Sequence, residues 1–421
     1  MTNKSAYGTG SSVVIESCQI CDNPNLEPIL FIGYLPPVNQ MWPIGSKPHE
    51  QPSYPAQMLR CPNCNLVQLG LIVDPLVLFP KEYPYTSSTT KILRDNFAEL
   101  YQEVSSILQL DKDDLVVDIG SNDGNLLSNF KDKHRVLGIT PEEIGRLAVE
   151  RGIPTMFSYF TQDATSKVLK EQGQASLITA TNVFAHIENP NEIVELLLQL
   201  LKPNGVFISE SHYLLSLVET LQYDTIYHEH MRYYSLHSLK YLLKMHGLEV
   251  FHAKKIPSHG GSIRVYAARK GRYPVLKSVS TMLRAEKKSV SSKSNLLKFR
   301  QEVVLSKLAI LDLLHKLKSR GKSIYGIGAP SRGSTLVNYL GIDDGILDCI
   351  LEIKGSNKIG KYMPGTVIPV VEESKLYKDQ PDFAFLLSWH IADELALKIK
   401  QGGFKGKFIV PLPKPRIMNI K

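Results

Sequence analysis

No apolar stretch in the 421 residues approaches the ~20 needed to cross a bilayer, so no membrane-spanning role is expected. The first residues, Met1 to Ser17, carry no apolar signal core with a cleavage site, and a cytoplasmic location is expected. Cysteine is scarce, with five residues, and four of them stand in Cys-x-x-Cys pairs while Cys349 is alone. Without a secretion signal, such pairs read as metal ligands rather than disulfides. Internal repeats and low-complexity tracts are also missing.

Aromatic residues are missing where a nucleic-acid surface would need them. The chain has 49 basic and 41 acidic residues, net +8, and much of the excess lies between Arg269 and Arg300, where Glu286 is the one acid. Serines, not Tyr or Phe, alternate with those charges, so base stacking is not provided for. The stretch reads as a solvated linker or helix face, with an anionic-ligand surface as the alternative. No nucleic-acid partner is expected, and a phosphorylated substrate would benefit from a basic cleft in either case.

What is present is the composition of a globular protein, 43% hydrophobic and 21% charged, in a chain long enough for two or three cores. Residues 1 to about 80 form a proline-rich unit whose apolar stretches are short, such as Ile29 to Ile32 and Leu66 to Leu71. Apolar residues at Ile92, Leu93, Phe97, Leu100 and Val104 predict a helix. From Leu115 strands and helices alternate, as in a parallel sheet covered on both faces. Strands are predicted at Leu115–Ile119, Arg135–Ile139, Ile153–Phe157, Ser176–Val183 and Val206–Ser209, with Leu248–Ile256 and Ser262–Ala268 as a closing pair. Helices are predicted at Gly124–Phe130, from Pro141, at Pro190–Leu201 and at Ser238–His246. A long helix, Asn295–Arg320, with apolar positions Leu297, Val304, Leu308, Leu311 and Leu314, opens a second α/β unit. Its strands are predicted at Ser323–Gly326, Ile346–Leu351, Phe383–Ser388 and Phe408–Val410.

The cysteine pairs are Cys18-Gln19-Ile20-Cys21 and Cys61-Pro62-Asn63-Cys64. Four thiolates satisfy tetrahedral Zn2+ and leave no position open for water, which argues for a structural metal. Residues 22–60 lie between the pairs, too many for a compact finger, so a loop must separate the knuckles.

The first strand runs into Asp118-Ile119-Gly120-Ser121-Asn122-Asp123-Gly124. Glycines at a strand-to-helix turn let a ligand approach the backbone. The third glycine of the dinucleotide fingerprint is missing, and Asp118 lies inside the motif. An acid there suits a ligand with an amino group, so S-adenosylmethionine leads, ahead of a nicotinamide cofactor or a purely structural turn. A second glycine run, Gly326-Ile327-Gly328-Ala329-Pro330-Ser331-Arg332-Gly333, follows a strand and offers a pyrophosphate seat with Arg332 as a bidentate partner, or a structural turn. Tyr227-His228-Glu229-His230 alone is open to a catalytic, metal-binding or structural reading. His186 and His259 are equally open between site and core.

Taken in order, these motifs carry a resemblance that covers nearly the whole chain. They are the paired cysteines, Tyr83-Pro84-Tyr85-Thr86-Ser87-Ser88, the Gly120–Gly124 loop, and Asn182-Val183-Phe184-Ala185-His186-Ile187. Ile226-Tyr227-His228-Glu229-His230, Pro257-Ser258-His259-Gly260-Gly261-Ser262-Ile263-Arg264 and Pro364-Gly365-Thr366-Val367-Ile368-Pro369 follow. The chain resembles the sugar C-methyltransferases of deoxysugar biosynthesis, of the mycarose and tetronitrose type. The resemblance implies an N-terminal zinc-binding domain (1–80) and a class I methyltransferase domain of Rossmann-like α/β fold (81–270). A C-terminal Rossmann-like α/β domain (271–421) completes it, with the substrate between the last two.

The resemblance further implies methylation of carbon next to the ketone of a nucleoside-diphosphate-linked 4-keto-6-deoxy sugar. That carbon becomes nucleophilic only when its proton is removed, so a base and an oxyanion stabiliser are required. His230 is the implied base, Glu229 its orienting or charge-pairing partner, and Tyr227 faces the substrate. Tyr83, Tyr85 and His186 complete the implied catalytic group. Asp118, Gly120, Asn122, Asp123, Gly124, Thr140 and Asn182 would bind the cofactor, and His259, Gly260, Ser262, Arg264, Ser331 and Arg332 the substrate. The sequence departs from the family at Thr140, where a carboxylate usually holds the cofactor ribose and Glu142 or Glu143 is the available substitute. It departs again at Arg332, often Lys, beside an unusual Pro330. An O-methyltransferase of a sugar hydroxyl and a zinc-ribbon nucleic-acid-binding protein with a degenerate methyltransferase domain are the alternatives.

Overall fold

A computed structural model describes residues 11–78 and 91–420; Tyr83, Tyr85 and the rest of their segment lie outside the described residues. The N-terminal unit contains β1 (Val13–Val14), β2 (Glu27–Leu35), β3 (Tyr54–Arg60), β4 (Val67–Leu69), β5 (Leu71–Ile72) and a single helical turn, α1 (Pro75–Leu78). Helix α2 (Lys91–Ile107) buries Leu93, Phe97, Leu100 and Val104, four of the five apolar positions that predicted it.

The middle unit runs β6 (Leu115–Ile119), β7 (Arg135–Ile139), α3 (Gly145–Glu150), β8 (Thr155–Met156), α4 (Gln162–Gln172), β9 (Ala175–Thr181), α5 (Pro190–Leu200), β10 (Leu201–His212), α6 (Leu214–Glu219), β11 (Arg232–Tyr233), α7 (Leu236–Met245), β12 (Leu248–Ile256) and β13 (Ser262–Arg269). Its seven strands lie in the order β12-β13-β10-β9-β6-β7-β8. β10, β9, β6, β7 and β8 are parallel, and β13 runs antiparallel to β10 and β12. This is the strand order expected for a class I methyltransferase sheet. The chain reverses its winding between β6 and β9, so the carboxyl ends of these strands open the ligand crevice.

Helices α8 (Lys277–Ser289) and α9 (Lys293–Lys318) lead to the C-terminal unit: β14 (Ile324–Ile327), α10 (Ser331–Leu340), β15 (Ile350–Glu352), β16 (Lys361–Tyr362), β17 (Pro369–Glu372), α11 (Ser374–Asp379), β18 (Phe383–Leu386), α12 (Ala392–Gln401), β19 (Lys407–Val410) and β20 (Arg416–Met418). Its order, β16-β17-β15-β14-β18-β19-β20, repeats in the five central strands the winding of the middle sheet. The repeat is one of topology, invisible in the sequence because different side chains fill the same layers.

Several sequence expectations shift. The helix expected at Gly124–Phe130 is a single 3₁₀ turn, Leu127–Asn129. The Asn125 carbonyl accepts from the Ser128 hydroxyl at 2.7 Å and from Asn129 Nδ2 at 3.1 Å, side chains that compete with helical pairing. On α9 the buried stripe is Leu296, Phe299, Val303, Ile310, Leu314 and Leu317. The expected positions Leu297, Val304 and Leu308 are exposed. Apolar residues occupy adjacent faces of that helix, and packing against β2 and α8, not periodicity, selects one. The basic stretch is largely the exposed face of α8 and the start of α9. Its lone acid, Glu286, is buried and accepts the amides of Leu236 and His237, capping α7.

The N-terminal unit is not an appendage. Its main sheet has the order β11-β4-β3-β2, so β11, from the middle of the chain, is its edge strand, with Arg232 opposite Gln68 and Tyr233 opposite Val67. One buried apolar cluster runs from Cys18 to Leu412 through all three units.

Candidate active site

The four cysteine sulfurs lie within 4.8 Å of one another, with Cys18–Cys64 at 3.4 Å and Cys21–Cys61 at 3.6 Å. Ligands ~2.3 Å from a tetrahedral metal would be about 3.8 Å apart, so the set fits Zn2+. Gln68, fully buried, accepts from the Gln19 amide at 3.0 Å and donates to the Ser17 carbonyl at 3.2 Å. It thereby ties the first knuckle to β4.

At the head of β6, Gly120 has φ +72°, and a Cβ there would lie 2.4 Å from Val183 Cγ2. The loop therefore needs glycine to pass beneath the Asn182–Ile187 segment. Ser121 Oγ, Asn125 Nδ2 and Asn182 Oδ1 are buried without a partner among the described residues. Buried polar atoms are normally satisfied, and a donor together with acceptors suits the amino-acid end of S-adenosylmethionine. Asp118 is buried and accepts from Thr179 Oγ1 at 2.6 Å, and burial raises its carboxyl to about 7. Asp123 pairs with Arg151 at 3.1 Å, which turns it toward α3. Thr140 is buried, and a Cβ on Gly145 would lie 2.7 Å from its methyl. Of the two substitute acids, Glu143 is exposed and paired with Arg146. Glu142 is half-buried, accepts from Asn122 of the glycine loop at 3.3 Å, and has its carboxyl raised by burial.

The Asn182–Ile187 loop joins this crevice to the histidines. Val183 covers Gly120 at one end, and at the other the His186 ring lies 5.1 Å from that of His230. His212, the last residue of β10, lies 4.8 Å from His230 and stacks 5.4 Å from His259. Burial holds His186 at about 4, His230 at about 3 and His259 at about 4, so all are neutral imidazoles at physiological pH. His230 Nδ1 is 3.1 Å from the Thr225 carbonyl, and Nε2 is 3.3 Å from the Tyr227 hydroxyl. A carbonyl only accepts, so Nδ1 carries the proton and Nε2 keeps its lone pair.

Here the expected roles change. The Thr225 carbonyl orients the His230 ring through Nδ1, and Glu229 Oε1 accepts from Asn39 Nδ2 at 2.6 Å. Arg264 is an internal strut rather than a substrate contact. It is fully buried against Glu210 (2.5 Å), Glu103 (2.7 Å) and Asn96 (2.9 Å). Arg332 does not offer its fork to a pyrophosphate, because Nε and Nη2 hold Asp224 at 2.8 and 2.9 Å and the guanidinium stacks on Trp389. Trp389 Nε1 donates to the same carboxylate at 2.7 Å. Gln222 Nε2 donates to the Gly260 carbonyl at 2.7 Å, and Ser262 Oγ to that of Ser258 at 3.1 Å. The His259 backbone has φ +54°, and its buried Nε2 has no partner among the described residues. Ser331 opens α10 after Pro330, and Lys358 Nζ donates to the Ala329 carbonyl beside it at 2.7 Å.

Asn39, His212, Asp224, Thr225, Lys358 and Trp389 were not singled out in the sequence. Only His212, at the carboxyl end of a central strand, had a positional signal.

The fold and this crevice define a methyltransferase of the class I type with a four-cysteine metal-binding unit. Residues 91–253 match the family described as "Methyltransferase domain", residues 257–413 the "C-methyltransferase C-terminal domain", and residues 18–79 the "Putative zinc binding domain". C-methyltransferase NovU of Streptomyces niveus is 30% identical over 417 residues, 96% of this chain and 97% of that protein. The chain belongs to this family of C-methyltransferases. Among solved structures, magnesium protoporphyrin IX methyltransferase of Synechocystis with bound SAM aligns at TM-score 0.33 and 14% identity, over 42% of this chain and 79% of that one. A SAM-dependent methyltransferase from Clostridium acetobutylicum aligns at TM-score 0.33 and 13% identity, over 44% and 94%. Likeness at that level bears no weight in the assignment. No helix among the described residues is long and apolar enough to cross a membrane.

Proposed function

We propose that this C-methyltransferase alkylates the carbon next to the ketone of a nucleoside-diphosphate-linked 4-keto-6-deoxy sugar, with His230 as the base. The observation that carries the reading is the His230 geometry, with Nδ1 3.1 Å from the Thr225 carbonyl and Nε2 3.3 Å from the Tyr227 hydroxyl, which assigns the proton to Nδ1 and leaves the lone pair on Nε2. That ring is coupled through His186 to the loop that covers Gly120. When bound, S-adenosylmethionine supplies an electrophilic methyl group on a sulfonium.

The residues of the chain do the rest. His230 Nε2 would take the α-proton and leave the C–H electron pair as an enolate, whose carbon would displace the methyl group from sulfur as the C–S electron pair departs with S-adenosylhomocysteine. The imidazolium keeps Nδ1–H on the Thr225 carbonyl, so the ring does not reorient as it charges. The enolate oxygen and the anionic diphosphate offset the burial that holds the free imidazole near 3. In this reading His259 donates to substrate oxygen, and Ser331 and the first amides of α10 receive the diphosphate. Tyr227 faces the sugar beside the base. Gly120, Asn122, Gly124 and Asn182 form the methionine cradle, and Glu142 replaces the usual carboxylate at Thr140 in holding the ribose. The cysteine cluster holds structural Zn2+.

The test is deuterium wash-in. A nucleotide-linked 4-keto sugar incubated in deuterated water with enzyme and S-adenosylhomocysteine gains deuterium at the carbon that is later methylated. His230→Ala loses both exchange and methylation by ~10²–10⁴. Methylation without an exchangeable carbon proton would instead assign a sugar hydroxyl as the acceptor.

A further inference from the structure

The base motif is fastened to the N-terminal unit at four of the five residues from His228 to Arg232, on both sides of His230. His228 Nε2 lies 3.2 Å from the Pro55 carbonyl. Glu229 Oε1 accepts from Asn39. The Met231 carbonyl accepts from the Leu69 amide at 2.9 Å, and Arg232 then enters β11 of that sheet.

Asn39 itself sits on a loop leaving β2 that is braced by its own unit and by the C-terminal unit. Gln40 Nε2 donates to the Val77 carbonyl at 2.9 Å. The Tyr362 amide donates to the Trp42 carbonyl at 2.7 Å, and the Ile44 amide to that of Gly360 at 2.9 Å. Pro36 packs so tightly on Gly365 that a Cβ there would lie 2.7 Å from its ring. Among the described residues, the His186 ring bonds the Glu229 backbone, His230 follows Glu229 in sequence, and Lys358 feels its charge.

We propose that Asn39 is a positioning residue of the active site, through which the N-terminal unit holds Glu229 in one orientation as a hydrogen-bond acceptor beside the His230 base. An amide N–H cannot surrender its proton to a carboxylate, so this contact favours the ionised acid and fixes one of its oxygens. The N-terminal unit is then part of the catalytic apparatus as well as a metal-held fold. This inference rests on the function proposed above.

The experiment uses the full-length, zinc-loaded protein with 13C-labelled glutamate, the Glu229 carboxyl signal being assigned by its loss in Glu229→Gln. Asn39→Leu removes the donor, and the Glu229 titration midpoint should rise by a pH unit or more. Asn39→Asp places two carboxyl groups at hydrogen-bond distance and should raise it further, because both cannot ionise. Deuterium wash-in should fall about tenfold, the scale of one charge-assisted hydrogen bond, with KM for the nucleotide sugar within twofold. Asn39→Ser, too short to reach Glu229, carries the same test if either variant folds poorly; retained zinc and S-adenosylhomocysteine binding report folding. An unmoved midpoint in Asn39→Leu and Asn39→Ser overturns the proposal, even if wash-in proceeds as expected in the parent enzyme. A shifted midpoint in a protein that exchanges no keto-sugar keeps Asn39 in place and removes the proposed reaction.

Discussion

Asp224→Ala should be among the most damaging single substitutions outside the base itself. Asp224 is fully buried, Arg332 is 8% exposed, and the carboxylate accepts two bonds from Arg332 and one from Trp389. Removing it leaves a guanidinium out of water, with Gln222 Oε1 at 3.3 Å as its remaining side-chain acceptor. Breaking a buried ion pair from one side typically costs ~3–5 kcal/mol. The double variant Asp224→Leu/Arg332→Met removes both charges and should lose far less, because no ion is stranded. Only Trp42 and Trp389 are present, so tryptophan fluorescence during urea unfolding reports this boundary directly. The same change should depress wash-in, since Asp224 precedes Thr225, whose carbonyl holds His230. A loss below about 1 kcal/mol for Asp224→Ala, or a double variant as unstable as the single, would refute the reasoning.

Cys64→Ser should drop bound zinc well below one equivalent and expose β4 and its partner β11 to hydrogen exchange; a full equivalent of metal in the variant would count against the four-thiolate site. Glu142→Gln should weaken S-adenosylhomocysteine binding several-fold by calorimetry while leaving a ribose-dideoxy analogue unaffected, and equal losses for both would remove Glu142 from the ribose. The buried imidazoles set an acid limit on stability. His186, His228 and His259 are held near 4 and His230 and His390 near 3, all by burial. The unfolded chain therefore binds more protons below about 6.5, and stability falls as pH drops from there toward 4. Asp118, raised to about 7 by burial, acts in the opposite sense and withdraws stability as pH rises through 7. His259→Asn, which tolerates the left-handed backbone, should flatten the acid slope by up to ~1.4 kcal/mol per pH unit; an unchanged slope would show that His259 does not contribute.

The sequence was informative where local chemistry dictates structure. Alternating apolar stretches from Leu115 located every parallel strand of the middle sheet, because a strand buried on both faces must be apolar throughout. The two cysteine pairs announced a four-thiol cluster through ligand type and spacing, and the Gly120 loop stood out as a turn that needs glycine, where the structure brings Val183 against the backbone. The Tyr227–His230 motif pointed to His230 as the proposed base, and a motif gives identity without orientation.

Partners were decided by the tertiary structure. Arg264 and Arg332 look like ligands for anions in the sequence, yet their charges are satisfied by Glu210 and Asp224, acids far away in the chain. Glu229 was expected to serve its neighbour His230, and only the fold shows that its carboxylate also meets Asn39 from 190 residues earlier. On α9 two apolar stripes compete, and only the surface presented by β2 and α8 chooses between them. Residue type and spacing thus determined which elements and which chemical groups the chain contains. Which groups were spent on one another and which were left for a substrate followed only once burial forced each charge to find a partner.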